Sequence, residues 1–238
     1  MLKPDSELRA YALHAEDGAI GSVRDFLFDD RTWLIRWLVV DTGHWLPGRR
    51  VLLPPTALAA VNHTERAFNV ELTRQQVRDC PDTGSDLPVS RQNESDIYNY
   101  YGWAPYWGGG AYMGMVAYGG GGLTEVPSAA IMQREMAIDA AQRPEGDPAL
   151  RSVVEVSGYY IHARDGEIGH VRGTLIDEAD WSIRSLIVET RNWWPGNTVL
   201  IAPSAVAAIE WPEQTVNLTI DRQAVKASPA HAPPARVD

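Results

Sequence analysis

The stretch Trp33–Pro55, WLIRWLVVDTGHWLPGRRVLLPP, returns at Trp181–Pro203 as WSIRSLIVETRNWWPGNTVLIAP. The offset of 148 residues also carries Asp17-Gly18 onto Asp165-Gly166, Ile20-Gly21 onto Ile168-Gly169 and Val23-Arg24 onto Val171-Arg172. No gap is needed from Tyr11 to Val77. Roughly 30 of about 67 aligned positions are identical, and several others, such as Leu13/Ile161 and Val39/Ile187, exchange one aliphatic residue for another, so the chain contains two copies of one unit.

Each copy reads as short strands separated by turn signals. In the first, Tyr11–Ala15 and Ile20–Phe28 flank Asp17-Gly18, a hairpin turn that uses glycine's tolerance of positive φ. Gly21, inside a strand pattern, marks a bulge or a close backbone approach. Leu34–Asp41 is the most apolar strand, and Pro47-Gly48 fits a type II turn. Val51–Pro54, a short turn around Ala57–Ala60 and Ala67–Leu72 follow. Thr73 then caps a brief helix, RQQVRDC, which Pro81 stops. Five or six short strands in so few residues hide their edges best in a small closed barrel.

The stretches DGAIGSVRDFLFDDRTWLIRWLVVDTGHWLPGRRVLLPP and DGEIGHVRGTLIDEADWSIRSLIVETRNWWPGNTVLIAP resemble the PRC-barrel domain family. That family takes its name from the cytoplasmic domain of the H subunit of the purple-bacterial photosynthetic reaction centre, and its domain also occurs in the ribosome-maturation factor RimM. The resemblance implies a mainly β protein of two small PRC-type β-barrels in tandem. The first covers 1–81 and the second 151–225, with a Pro/Ala-rich tail at 226–238. Between them, 82–150 forms an irregular acidic, aromatic and Gly-rich linker with one helix at about 128–142. The resemblance further implies a non-enzymatic docking or scaffold module. By analogy it implies an accessory subunit on the cytoplasmic side of a photosynthetic reaction centre–light-harvesting membrane complex, held by an H-like subunit or by antenna polypeptides. The alternatives are a free-standing soluble stress-associated binding protein and, third, a RimM-like ribosome-maturation factor.

Charge and composition narrow the partners. The formal net charge is −10. The first copy has 7 basic and 8 acidic residues, the second 5 and 9, and residues 78–158 have 5 and 11, so the acidity is concentrated between the copies. Phosphate backbones and anionic lipid surfaces both disfavour such a chain, which argues against nucleic acid and limits membrane association to contacts through other proteins. The absence of a long apolar run or a signal-like N-terminus makes a cytoplasmic location the default expectation. A single cysteine, Cys80, excludes an internal disulfide framework and a multi-thiolate metal site.

No catalytic, cofactor or metal residues can be nominated. His14 and His162, like Asp17 and Asp165, sit at equivalent positions, and duplication at a fixed site argues for a fold role. Arg24/Arg172 and Arg36/Arg184 each lie beside a repeated acid and read as cross-strand ion pairs on the wall of the unit. The partner-interface candidates come from aromatic residues. Trp37 and Phe26 become Ser185 and Thr174 in the second copy, which suggests that they cover something outside their own barrel, either the aromatic linker or a partner. Trp45, Trp193 and Trp194 stand at the Pro-Gly turn tips, and Trp103, Tyr106 and Trp107 belong to the aromatic linker.

Overall fold

The structure is a computed structural model that describes residues 1–81, 91–103, 105, 150–190, 194 and 196–231. The described residues fall into two compact units, one drawn from 1–88 and 149–238 and the other from 89–148. The expected helix at 128–142 lies outside the described residues.

The first unit holds both copies. Strand β1 (Leu2–Pro4) and a single helical turn, α1 (Asp5–Leu8), precede the first copy proper. That copy runs β2 (Ala12–Ala15), β3 (Gly18–Asp29), β4 (Ile35–Asp41), β5 (Arg50–Leu53), a 3-10 turn at Pro55–Ala57, β6 (Leu58–Asn62), β7 (Ala67–Val70) and helix α2 (Arg74–Asp79). In the other unit lies α3 (Arg91–Tyr101). The second copy repeats the scheme with β8 (Leu150–Ser152), α4 (Val153–Val156), β9 (Tyr160–Ala163), β10 (Gly166–Asp177), β11 (Ser182–Glu189), β12 (Thr198–Ile201), a 3-10 turn at Pro203–Ala205, β13 (Val206–Glu210), β14 (Thr215–Leu218) and α5 (Arg222–Ala227).

Both sheets have the same order, β5-β4-β3-β2-β7-β6 and β12-β11-β10-β9-β14-β13, antiparallel except for the parallel pairs β2–β7 and β9–β14. The protein is therefore mainly β, with two β units in tandem. Their closure differs from expectation, because no ladder joins β5 to β6, or β12 to β13, among the described residues. The chain rounds this corner through Pro54 and Pro55, which have no N–H to give, and through a 3-10 turn rather than a ladder. The segment expected to be a turn at Ala57–Ala60 accordingly splits between that turn and the start of β6.

Several local expectations are met in detail. A Cβ on Gly21 would meet the Asp41 carbonyl oxygen at 2.0 Å, and one on Gly169 would meet that of Glu189 at 2.0 Å, so β3 and β10 pass their neighbours where only glycine fits. Gly48 has φ +78°, and the Arg49 N–H donates to the Leu46 carbonyl at 3.1 Å, closing the Pro47-Gly48 turn. Thr73 and Gln76 form a reciprocal capping box on α2. The repeated Asp17 and Asp165 accept from the first backbone N–H of α2 and α5, Arg74 at 2.7 Å and Arg222 at 2.9 Å, which fixes the β-hairpin to the helix in each copy.

The core of each copy consists of the inward alternate residues of its strands, among them Leu13, Val23, Leu38 and Phe68 in the first and Ile161, Val171, Leu186 and Val216 in the second, all at most 1% exposed. Each copy also completes its sheet with a strand from outside its own six. β1 pairs antiparallel with β10, Leu2 opposite Asp177, and β8 pairs antiparallel with β3, Leu150 opposite Asp29. The 148-residue offset carries β1 and α1 onto β8 and α4, so the two copies exchange equivalent segments across an approximate two-fold.

Candidate functional site

At the centre of this exchange, the β3–β4 and β10–β11 turns meet. Asp29 Oδ1 accepts from the Arg31 and Thr32 N–H groups, and the Trp33 N–H donates to the Asp29 carbonyl at 2.7 Å, which turns the chain sharply. Trp33 and Trp181 thereby take up φ of +59° and +56°, a left-handed conformation that bulky residues adopt only under constraint. The constraint is reciprocal: the Ile35 N–H donates to the Trp181 carbonyl, and the Ile183 N–H to the Trp33 carbonyl, each at 2.8 Å. Trp181 also packs its ring near Phe26 (6.2 Å between centroids) and Phe68 (5.8 Å), while Trp33 stacks on Phe28 (5.5 Å).

Two polar clusters flank the junction at pseudo-equivalent places. In one, Lys3 binds Glu7 at 2.6 Å, the buried Tyr11 hydroxyl lies 3.1 Å from His63 Nδ1, and His63 Nε2 lies 3.3 Å from Glu178 of the second copy. In the other, Arg151 binds Asp30 of the first copy at 2.8 Å, and the Trp211 indole N–H donates to Glu155 at 2.5 Å. Burial and the neighbouring Glu155 push the Tyr159 hydroxyl up to about 12. The repeated surface cations form cross-strand ion pairs, Arg24–Asp41 at 3.1 Å, Arg172–Glu189 at 3.3 Å, Arg36–Asp29 at 3.6 Å and Arg184–Asp177 at 3.2 Å. Among the described residues, no group of three His, Cys, Asp or Glu side chains is placed to hold a metal.

The described aromatic interface candidates fall into three groups. Phe26 and Trp37 are fully buried, so neither offers surface to an external partner. Phe26 does reach beyond its own sheet, but what it meets is Trp181 of the second copy. Its counterpart Thr174 meets the exchanged segment of the first copy instead, with its N–H donating to Asp5 Oδ1 at 2.7 Å and its hydroxyl 3.5 Å from the same oxygen. Trp45 folds back onto its own copy, with the guanidinium of Arg74 4.6 Å and that of Arg78 5.8 Å from its ring centroid. Trp194 similarly has the Lys226 ammonium at 5.8 Å. Trp103 belongs to the other unit, where it closes α3: Gly102 turns the chain at φ +69°, the Trp103 N–H donates to the Tyr98 carbonyl at 3.0 Å, and its ring stacks on Tyr101 at 4.1 Å. Tyr106, Trp107 and Trp193 lie outside the described residues.

The surface aromatics that sequence comparison passed over are on the second copy. Tyr160 is 46% and Trp211 45% exposed, and the Tyr160 ring lies 4.5 Å from that of His170. The corresponding residues of the first copy are Ala12, His63 and Ser22. The signal was present as substitutions between copies, but from small or polar to aromatic rather than the reverse.

Residues 5–77 match the family model of the PRC-barrel domain, and this first copy is a PRC-barrel domain, a type of domain that commonly mediates protein–protein interaction. The match ends before the second copy, which is tied to the same fold by its sequence repeat and by its identical strand order. A comparison with curated proteins finds no match. Among the described residues, no helix is long and apolar enough to cross a membrane.

Proposed function

We propose that this protein is a non-enzymatic docking scaffold in which two PRC-type units, locked to one another, present one asymmetric binding face. The observation that carries this reading is the exposure of two aromatics of the second copy, Tyr160 on β9 and Trp211 in the β13–β14 turn, where the first copy has Ala12 and His63. Tyr and Trp are enriched at the anchoring centres of protein interfaces, because they bring large apolar area at small entropic cost. The duplicated acids and cations, by contrast, serve in caps and wall ion pairs. The finer reading is an accessory subunit on the cytoplasmic side of a photosynthetic reaction centre–light-harvesting complex, bound to an H-like subunit or to antenna polypeptides. Its support is the analogy of fold with the reaction-centre member of the family. Affinity isolation of the full-length chain from detergent-solubilised photosynthetic membranes tests it. Reaction-centre or antenna polypeptides are expected to co-purify and to be lost in a Y160A/W211A variant; recovery of the chain alone from the soluble fraction overturns the photosynthetic assignment.

A further inference from the structure

The two exchanged segments do not dock in the same way, and the difference involves one carboxylate at each junction. Where β8 and α4 meet the first copy, the carboxylate belongs to the receiving strand. Asp25 on β3 accepts from the Phe26 N–H at 2.7 Å, the Val154 N–H at 3.0 Å and the Ser152 hydroxyl at 2.5 Å, and Val153 beside it is fully buried. Where β1 and α1 meet the second copy, the carboxylate belongs to the arriving segment. Asp5, 1% exposed, accepts from the Thr174 N–H at 2.7 Å and from Arg9 at 3.0 Å, and the receiving strand has Gly173. By the 148-residue offset, Asp5 corresponds to Val153, Asp25 to Gly173 and Phe26 to Thr174. The same backbone N–H is thus satisfied in both junctions, from opposite sides of the joint.

Space follows charge. A Cβ on Gly173 would lie 2.6 Å from Asp5 Oδ1, so a side chain on the strand and a carboxylate on the segment exclude one another. We propose that Asp5 and Asp25 form a pairing code by which the first copy accepts a second copy and rejects another first copy. Two first copies would bring Asp5 against Asp25, two buried carboxylates competing for one N–H donor, and buried like charges disfavour the pair. Two second copies would set Val153 against Gly173 and leave the Thr174 N–H without an acceptor in a gap, which buried backbone groups rarely tolerate. Only first with second gives each junction one carboxylate. The binding surface of each copy is therefore specific for a PRC-type unit of the complementary kind, and two chains that associate through these surfaces must do so by exchanging unlike copies.

The code is tested in the full-length chain by moving a carboxylate across a junction and following thermal unfolding by circular dichroism. V153D and D25G are each expected to lower the melting temperature by about 5 °C or more, the first by crowding two carboxylates and the second by removing the acceptor. The relocation D25G/V153D is expected to regain more than half of the summed loss. At the other junction, G173D and D5V should each destabilise, and D5V/G173D should recover in the same way. Losses that simply add at both junctions would overturn the proposal, as would single variants that melt with the parent chain; recovery at either junction supports it.

Discussion

Tyr159 shows how a single residue responds to the exchange. It stands at the start of the second copy and is 3% exposed, with Glu155 of the exchanged segment beside it. Burial first, and then the negative charge of Glu155, hold its proton up to about 12, whereas an unfolded tyrosine titrates at about 10. Because the folded value is the higher one, the contribution to stability is fully present below the unfolded value and is lost as pH rises through about 12. Absorbance titration of the phenolate is expected to show one tyrosine with a midpoint near 12, absent in Y159F. The same variant should also flatten the fall in stability over that alkaline window. The buried acids Asp5 and Asp25 are likewise pushed up by burial, against the pull of their hydrogen bonds. Asp41 is held below the usual carboxylate range, first by the Gly43 N–H and then by Arg24.

At the scale of elements, β1 and β8 matter more than their three residues each suggest. A strand edge left open is a template for pairing with another chain, and these segments occupy the sides of β10 and β3 that would otherwise be open. Deletion of residues 1–9 is expected to lower the melting temperature and to produce concentration-dependent association, measured by light scattering, while deletion of 228–238 is expected to have a smaller effect. The smaller effect follows because, among the described residues, that tail contributes the Ser228 cap of α5 and a bridge of Ala230 to Val199 with flanking bonds at Leu200 and His231, and no named strand. Much of this level was legible in the sequence. Turn residues at Asp17-Gly18 and Pro47-Gly48, the close approach at Gly21 and the cap at Thr73 each depend on local chemistry, and each was read correctly from it. The exchanged strands were not. Their residues LKP and LRS have no alternation to detect, and only the 148-residue offset, followed back past Tyr11 to Leu2, links them. Helix α3 was missed because its residues RQNESDIYNYY are polar and aromatic, with no apolar stripe. The difference between Phe26 and Thr174 did point to the right place. What Phe26 meets outside its own copy is Trp181 of the second copy.

The whole molecule follows from these joints. The hydrogen bonds of Ile35 and Ile183 to the opposite tryptophans, the strand exchange and the paired clusters at His63–Glu178 and Arg151–Asp30 all cross between the copies. Neither sheet is complete without the other copy, so the two copies are expected to unfold together. Calorimetry should give a single transition for them, with calorimetric and van't Hoff enthalpies in agreement. A cavity made in the second copy alone, V216A, should lower the transition of both copies, because Val216 is fully buried there. Two resolved transitions, with only one displaced by V216A, would contradict this.

The exchange also sets an order of events during synthesis. Leu2 finds its partner Asp177 across 175 residues, and Asp29 waits for Leu150. At ~5–20 residues per second, roughly 9–35 s separate the emergence of the two ends of the first pair. A nascent first copy therefore leaves the ribosome with its own edge strand still to be made. Its sheet is completed only after β8 has been made, and during that interval the side of β3 that β8 will occupy is open to pairing with another chain.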